Sequence, residues 1–443
     1  MPIKKRKAFK PTEKFIISQF STHTIPGFGW AKRILRGVPA LREKEVRRFF
    51  FGQLISNIGS WMQIVALGWL VFQITSSAFW VGVVAACSSL PAVFFSLFGG
   101  WIVDHFPKKK VLIIAHTSSM VLAFILGLLT ITDNINVTAI IIISLLGGVI
   151  NSIYTPAHFS YISEIIHKDK LSSAMSINAS VSSLGRIFGP VFAGFYIKVG
   201  GIGGAFIING LSFLAVIVAL LLIKKPSISI DKHLNPLQSI KEGLIYSLSN
   251  PMIRSIILYV GAASIFAWSY TTIIPVIAKD IFHTDATGMS NLYSAVGIGS
   301  IVATFLTAYF SSRVSKLAIF LAGNTIFSVS IFLFTFTQSL NLGLIYMFLS
   351  GLGLVTVNIV LGTIVQQMAD PHYRGRVASI YFLVFGGVIF LGNLEIGYLA
   401  EHFGSPFALR INTIIMLVVG IYILVVKNKL RESQKVYNSK LEH

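Results

Sequence analysis

Long apolar stretches follow one another along the chain from Phe49 to Val426, separated by short polar segments. A helix rises about 1.5 Å per residue, so about 20 apolar residues cross the hydrocarbon core of a bilayer, which is roughly 30 Å thick. The pattern predicts an all-α membrane protein with twelve transmembrane helices. These predicted spans cover residues 49–74, 79–103, 111–131, 137–157, 172–199, 204–223, 253–278, 289–310, 317–337, 341–366, 377–400 and 407–427.

The polar segment at 224–252 is the longest break between predicted spans and contains Pro226 and Pro236. We therefore expect two bundles of six helices joined by a cytoplasmic linker. The predicted domains are a basic cytoplasmic N-terminal arm (1–48), an N-terminal bundle (49–223), the linker (224–252), a C-terminal bundle (253–427) and a cytoplasmic tail (428–443), whose last residues resemble a tag scar.

The distribution of lysine and arginine predicts the orientation. If both termini are cytoplasmic, 32 of the 36 basic residues fall in cytoplasmic segments. Lys198, Lys279 and Arg410 then fall outside, and Arg186 lies within a span. Loops rich in lysine and arginine stay on the cytoplasmic side of a membrane. We therefore expect both termini in the cytoplasm.

Composition supports a membrane protein and narrows its partners. Hydrophobic residues make up 54% of the chain and charged residues 12%, and the mean hydropathy is +0.77. The formal net charge is +20, and residues 1–48 carry 13 of the 36 basic residues. No stretch combines a folded basic domain with base-stacking aromatics, so we expect anionic membrane lipids, and no nucleic acid, as partners. No nucleotide-binding or metal-ligand pattern predicts a cofactor or a metal site.

An internal repeat is visible in the glycines of the fifth and eleventh predicted spans. Gly189 with Pro190, Gly194 and Gly201 recur as Gly392 with Asn393, Gly397 and Gly404, in each case 203 positions later. Such a repeat predicts two pseudo-symmetric bundles related by an axis along the membrane normal. Secondary transporters that open alternately to each side use this architecture.

The loop between the second and third spans, residues 99–110, combines small, acidic and basic residues. Gly100 stands four residues before Asp104, so both lie on one face of the last helical turn. Lys108 and Lys109 follow, where they are expected to hold this end at the anionic inner leaflet.

This loop resembles the signature of the major facilitator superfamily. The resemblance implies that the loop controls conformation and that Asp104 contacts the start of the eleventh span, where Arg374 and Arg376 stand. His105 and Pro107 depart from the family's usual arginine and glycine. A loop that serves only to orient the chain is the alternative.

The fifth span carries Gly185, Gly189 and Gly194 on a face of small residues suited to close helix packing, and Pro190 is expected to bend it. This segment resembles the Gly-Pro motif of antiporters in the same superfamily, which implies export rather than uptake. A packing kink without directional meaning is the alternative.

Two charged residues lie within predicted spans. Arg186 is near the middle of the fifth span, where a charge costs at least about 2.5 kcal/mol and must face the bundle interior. It is expected either to bind an anionic substrate group or to tie helices together. Glu395 lies in the outer part of the eleventh span. It is a candidate for reversible proton binding, or a solvated carboxylate of an outer vestibule.

Uncharged polar and aromatic residues in several spans are expected to line a central cavity for a bulky amphipathic solute. Hydrogen bonding between helices is the alternative for any one of them. The candidates are Gln53, Asn57, Trp61, Asn151, Tyr154, Asn178, Trp268 and Asn358.

Further segments are similar to one bacterial branch of the superfamily, the enterobactin-exporter-like and macrolide-efflux-like transporters. They are residues 47–56, 59–63, 154–157 and 374–377, while His158 stands where that branch often has arginine. The resemblance implies a multi-pass protein of the bacterial inner membrane.

The resulting hypothesis is a secondary transporter, not an enzyme, that acts as a monomer by alternating access. It exports an amphipathic small molecule, such as a siderophore or drug, coupled to protons. One alternative is a lysophospholipid flippase of the same fold, which would bind a headgroup at Arg186. Another is a transporter-like receptor or scaffold whose basic arm binds a partner.

Overall fold

The computed structural model describes residues 39–224, 236–370 and 373–441. Most of the predicted N-terminal arm and residues 225–235 of the predicted linker lie outside these residues. Within them the chain is helical and contains no strand, which confirms the predicted all-α class.

Fifteen α-helices make up most of the described part of the chain. They are α1 (Lys44–Thr75), α2 (Ala78–Ser89), α3 (Pro91–His105), α4 (Lys108–Ile131), α5 (Val137–Ile165), α6 (Leu171–Leu222), α7 (Pro236–Ser249), α8 (Pro251–Ala262), α9 (Ile274–Asp280), α10 (Ala286–Phe310), α11 (Lys316–Phe334), α12 (Leu340–Met368), α13 (Arg374–Gly387), α14 (Ile389–Phe403) and α15 (Ser405–Leu441). A π-helical turn (Ala263–Ala267) and a 3-10 segment (Trp268–Ile273) connect α8 to α9.

Short polar residues at helix starts explain why several loops are brief. Ser77 accepts a hydrogen bond from the backbone N–H of Trp80 and caps α2. Asn136 caps α5 in the same way, and Asp285 accepts from two N–H groups at the start of α10. These side chains satisfy backbone donors that a helix start leaves without partners, so each new helix begins within a few residues of the last.

Eleven segments of the described residues are long and apolar enough to cross a membrane. One of them is α6, whose 52 residues would extend about 78 Å if straight, more than twice the thickness of the hydrocarbon core. Gly201 interrupts α6 with a φ of 71°. Twelve spans require α6 to cross twice, and this count stays a prediction, as does the cytoplasmic location of both termini.

The two predicted repeats share an unusual backbone feature. Gly201 and Gly404 are the two glycines of the described residues with positive φ, at 71° and 85°. Glycine adopts this conformation at little cost because it has no Cβ. These positions are equivalent in the predicted repeat. The same backbone turn therefore follows the fifth predicted span in one half and the eleventh predicted span in the other.

Three predicted spans are interrupted where we expected continuous helices. The span at 79–103 is divided into α2 and α3 at Pro91, which has no N–H to donate. The span at 253–278 passes through the π and 3-10 segments. The span at 377–400 is divided at Val388, directly after two glycines that weaken a helix.

Two clusters of buried apolar residues form the core. One runs through the C-terminal half and continues into the N-terminal half at the end of the molecule that carries Gly201 and Gly404, the predicted outer end. The other lies within the N-terminal half alone, around Phe49, Leu112 and Tyr161, at the predicted cytoplasmic end. The two halves therefore share a core at the outer end only.

Candidate functional site

A cavity of about 350 Å³ lies between the two halves and is called the central cavity here. Its lining comes from α1, α2 and α6 of the N-terminal half, and from α10, α12, α14 and the 3-10 segment of the C-terminal half. Most lining residues are apolar. A largely apolar space of this volume suits a drug-sized organic molecule.

Arg186 is the one charged residue among the described residues that line the central cavity. Its guanidinium carbon lies 5.2 Å from the ring centre of Trp61 and 5.6 Å from that of Trp268. One tryptophan belongs to each half of the protein, and both contacts are within the range of cation–π attraction. The buried Arg186 Nε has no hydrogen-bond partner among the described residues. The cavity thus offers a cation between two aromatic faces.

The other polar groups around the central cavity are mostly paired with one another. Tyr270 Oη lies 3.1 Å from Ser350 Oγ, and Tyr293 Oη donates to the carbonyl of Thr271 at 2.7 Å. Thr272 Oγ1 donates to Asn393 Oδ1 at 2.8 Å. These bonds leave the Arg186 guanidinium as the charged group available to a bound molecule.

A second cavity of about 190 Å³ lies inside the N-terminal half, between α1, α4, α5 and α6; we call it the N-half cavity. Its lining is mainly polar. It includes four residues predicted to face a central cavity, which are Gln53, Asn57, Asn151 and Tyr154. The expectation of one cavity lined by all the polar candidates was therefore wrong, because the helices of one half enclose a separate space.

Hydrogen bonds connect three helices beside the N-half cavity. Gln53 Nε2 donates to Tyr154 Oη at 2.7 Å, and Tyr154 Oη lies 3.2 Å from His158 Nδ1. His158 Nε2 lies 2.8 Å from Asn178 Oδ1. Asn57 lies nearby and donates to the carbonyl of Val181 at 2.9 Å. We call the first four residues the His158 chain.

Glu395 and Asn358, also predicted as site residues, lie elsewhere in the C-terminal half. Glu395 Oε2 accepts a hydrogen bond from Asn412 at 3.1 Å, which joins α14 to α15. Asn358 Oδ1 accepts from Tyr381 at 2.9 Å. Neither residue is among the described residues that line the central or the N-half cavity.

The predicted conformational-control contact is not formed in this structure. Asp104 is exposed and makes no hydrogen bond or ion pair with the parts of the chain that the structure describes. Arg374 Nε instead donates to the carbonyl of Ala369 at 3.2 Å. Arg376 forms an ion pair with Glu242 at 2.7 Å. Gly100 has open space beside it.

The two lysines of this loop have different surroundings. Lys108 is buried and forms an ion pair with Glu164 at 3.0 Å, so the expectation that it contacts lipid headgroups was wrong. Burial beside a carboxylate removes it from the surface. Lys109 Nζ donates to the carbonyl of Ile223 at 2.7 Å, close to the end of α6.

The glycines of the fifth predicted span allow close packing on two sides. A Cβ on Gly185 would collide with Asn57, and a Cβ on Gly189 would collide with Trp61, both on α1. A Cβ on Gly194 would lie 2.9 Å from the side chain of Ser290 on α10 of the other half. Pro190 is buried inside α6.

A matching contact joins the halves through α14. A Cβ on Gly397 would lie 2.9 Å from the Cα of Gly82 on α2. Gly397 and Gly194 are equivalent in the predicted repeat. Each therefore makes a close contact between the halves.

Sequence reasoning missed several residues that the structure brings together. Tyr293 and Asn393 line the central cavity. Each is a polar residue within an apolar span, and this pattern could have predicted that it faces a cavity. Glu401 was missed as well. Its Oε2 accepts from Ser77 Oγ at 3.0 Å and from the N–H of Phe79 at 3.3 Å, across the predicted outer end. Its sequence neighbours give no sign of that contact.

A family model described as "Transmembrane secretion effector" (MFS_3) matches residues 37–442. The "Staphyloferrin A transporter" of Staphylococcus aureus (strain NCTC 8325) is 24% identical over 80% of this chain and 89% of its own length. The "Multidrug efflux pump Tap" of Mycolicibacterium fortuitum is 25% identical over 86% and 95%. The "Enterobactin exporter EntS" of Escherichia coli O1:K1 is 22% identical over 87% and 92%.

Solved structures show the same fold. A bacterial homologue of the human lysosomal transporter Spinster, in an inward-facing and occupied conformation, superposes with a TM-score of 0.70 at 12% identity, over 86% of this chain and 96% of that one. The nucleoside transporter NupG superposes with a TM-score of 0.68 at 14% identity, over 87% and 99%.

Proposed function

Because the chain belongs to the transmembrane secretion effector family of the major facilitator superfamily, we propose that it exports an amphipathic small molecule in exchange for protons. It is a multi-pass membrane transporter and not an enzyme. The proposed cargo is a siderophore or a drug, and the proposed location is the bacterial inner membrane. The relatives named for staphyloferrin A, enterobactin and multidrug efflux support this class of cargo.

The observation that carries the proposal is the central cavity with Arg186 between Trp61 and Trp268. A guanidinium in an apolar cavity favours a carboxylate or another anionic group. The aromatic faces and aliphatic walls favour the apolar part of the same molecule. An amphipathic anion satisfies both conditions.

The distribution of contacts supports alternating access as the transport mechanism. The halves share a core at the predicted outer end, and the cytoplasmic end of the N-terminal half has its own core. We infer that this conformation opens the central cavity toward the cytoplasm, where an exporter collects its cargo. In the opposite conformation the cytoplasmic ends would approach and bring Asp104 toward Arg374.

The test compares cells that lack this protein with cells complemented by variants, through metabolite profiling of the medium with and without iron limitation. Arg186→Ala should lower export of the cargo about tenfold or more, because an anion in the cavity loses its one cationic partner. Arg186→Lys should retain part of the activity, since the charge remains. Lys198→Ala, which removes an exposed charge from the same helix, is the control.

Two outcomes would contradict the proposal. If cells that lack the protein and complemented cells gave identical media, the proposed export function would be wrong. Full activity of Arg186→Ala at normal protein levels would show that Arg186 in the central cavity does not bind the cargo. Movement of a fluorescent lysophospholipid in proteoliposomes without a pH gradient would instead support a lipid flippase.

A further inference from the structure

The His158 chain has a defined direction of hydrogen bonding. Asn178 Oδ1 can only accept, so His158 Nε2 carries a hydrogen and donates it. In the neutral imidazole His158 Nδ1 is then an acceptor and receives the hydroxyl hydrogen of Tyr154. Gln53 Nε2 donates in turn to the Tyr154 oxygen. These bonds form a complete set for a neutral imidazole.

The same residues can form a second set of hydrogen bonds when one proton is added. Gln53 Oε1 is buried and has no hydrogen-bond partner among the described residues. Rotation of the Gln53 amide by 180° places this acceptor beside the Tyr154 hydroxyl. His158 Nδ1–H can then donate to Tyr154, and Tyr154 can donate to Gln53 Oε1. Gln53 Nε2 takes the position in which Oε1 has no described partner, so the number of unpartnered amide atoms stays the same.

We propose that Gln53, Tyr154 and His158 form a reversible proton-binding site within the N-terminal half, separate from the central cavity. A hydronium ion in the N-half cavity transfers a proton to the Tyr154 oxygen and leaves as water. The original hydroxyl proton of Tyr154 passes to His158 Nδ1. One N–H bond forms, one O–H bond of hydronium breaks, and the site gains one positive charge. The use of this site in transport rests on the proposed proton-coupled export.

The N-half cavity gives water access to this site. Tyr154 and Gln53 both line it, with Ser56, Ser60 and Ser119 among the other polar groups. A space of about 190 Å³ with several polar walls is large enough for several waters. Asn151 in its lining is exposed, so the cavity reaches the surface of the N-terminal half.

The groups around His158 leave its added charge without a carboxylate partner. The ring of His116, whose buried Nε2 lacks a described partner, lies 5.1 Å from that of Tyr154. Glu164, farther along α5, pairs with Lys108. The titratable and charged residues on the described helices packed against α5 are Lys44, Glu45, Arg47 and Arg48 on α1, Cys87 on α2, Asp104 and His105 on α3, Lys108, Lys109, Lys110 and His116 on α4, and Arg186, Tyr196 and Lys198 on α6.

The site is connected to the central cavity by two helices. Gln53 and Trp61 are eight residues apart on α1, and Asn178 and Arg186 are eight residues apart on α6, a rise of about 12 Å in each case. A change of hydrogen bonding at His158 therefore acts on both helices that present Trp61 and Arg186. Glu395, the other candidate proton carrier, contacts Asn412 between α14 and α15, so its hydrogen bond does not act on the helices that present Trp61 and Arg186.

The first experiment detects the proton on the protein itself. Full-length protein in lipid nanodiscs is labelled with 15N-histidine, and spectra are recorded between pH 5 and pH 8. The His158 signal is assigned by its loss in His158→Gln and should change reversibly from a neutral imidazole to an imidazolium. A His158 signal that stays neutral over the whole range overturns the proposal.

The second experiment measures coupling in proteoliposomes, with staphyloferrin A, enterobactin and ethidium as probes. For any probe that the unaltered protein transports, His158→Gln should keep exchange at equal pH within about twofold. Accumulation driven by a pH gradient should fall at least about tenfold. Tyr154→Phe should behave in the same way, because the relay needs the hydroxyl. His167→Gln, an exposed histidine beyond α5, should change neither rate.

The outcomes separate this proposal from the proposed function. Gradient-driven accumulation that survives in His158→Gln and Tyr154→Phe, or is lost only in Glu395→Gln, overturns the proton site and leaves export intact. Loss of exchange in both variants would show that the His158 chain has a structural role. This result also overturns the proposed proton site. If the unaltered protein moves none of the probes and its deletion leaves the medium unchanged, the proposed function fails, while the nanodisc spectra still decide whether His158 binds a proton.

Discussion

Arg186 shows how a single charge is accommodated within a membrane span. The cost of placing it there is reduced by the two tryptophan faces at 5.2 and 5.6 Å and by its position at the central cavity. The sequence predicted that Arg186 faces the interior, since lipid would not tolerate it. The tryptophan pair could not be predicted, because Trp61 and Trp268 lie in different halves and meet only through the tertiary fold.

We expect Trp268→Ala to weaken transport of the cargo without unfolding the protein. Loss of one cation–π contact, of about 0.5–2 kcal/mol, should raise the apparent KM roughly 2- to 30-fold. Trp268→Phe, which keeps an aromatic face, should have a smaller effect. Initial transport rates over a range of cargo concentrations in vesicles measure this change. An unchanged KM for Trp268→Ala would show that cargo binding does not depend on the contact between Trp268 and Arg186.

At the level of helices, two pairs of closely packed elements join the halves. Gly194 on α6 approaches Ser290 on α10, and Gly397 on α14 approaches Gly82 on α2. The repeat of glycines at one offset predicted that these positions are equivalent. Their partners could not be predicted, because glycine spacing marks a face for close packing but does not identify the helix that packs on it.

Gly397→Leu should prevent this end of the molecule from closing. Even a Cβ would lie 2.9 Å from Gly82 Cα and 3.0 Å from the Ala78 carbonyl, so a larger side chain forces α2 and α14 apart. Distances between spin labels on the outer ends of these helices should increase, and transport should fall at least about fivefold. Gly200→Leu, at a glycine with open space around it, is the matched control. An unchanged distance distribution would contradict the expectation.

For the molecule as a whole, the pattern of apolar stretches and glycines predicted the fold class and the repeat. It could not predict the conformation, because the pattern of apolar stretches is the same in every conformation that one sequence can adopt. Asp104 is an example of a residue whose contacts depend on the conformation. Its predicted partner Arg374 is engaged with Ala369 in this state, so the predicted contact belongs to another state or does not form.

Asp104→Asn should therefore slow the transport cycle while leaving the present conformation intact. If Asp104 stabilises only the state with closed cytoplasmic ends, removing its charge should favour the open state by about 1 kcal/mol, or roughly fivefold in population. Spin-label distances across the cytoplasmic end, with and without cargo, measure the change. Asp133→Asn, in the loop after α4, serves as the control. A population unchanged by Asp104→Asn would assign that loop a role in orientation only.

The bond from Glu401 to the first turn of α2 means that one half of the protein completes the secondary structure of the other. Any separation of the outer ends would take this acceptor from the N–H of Phe79, and loss of a helix cap typically costs about 1 kcal/mol. In the proposed transport cycle, an opened outer end would therefore be less stable than the closed one by about this amount, and the conformation seen here would be the favoured one.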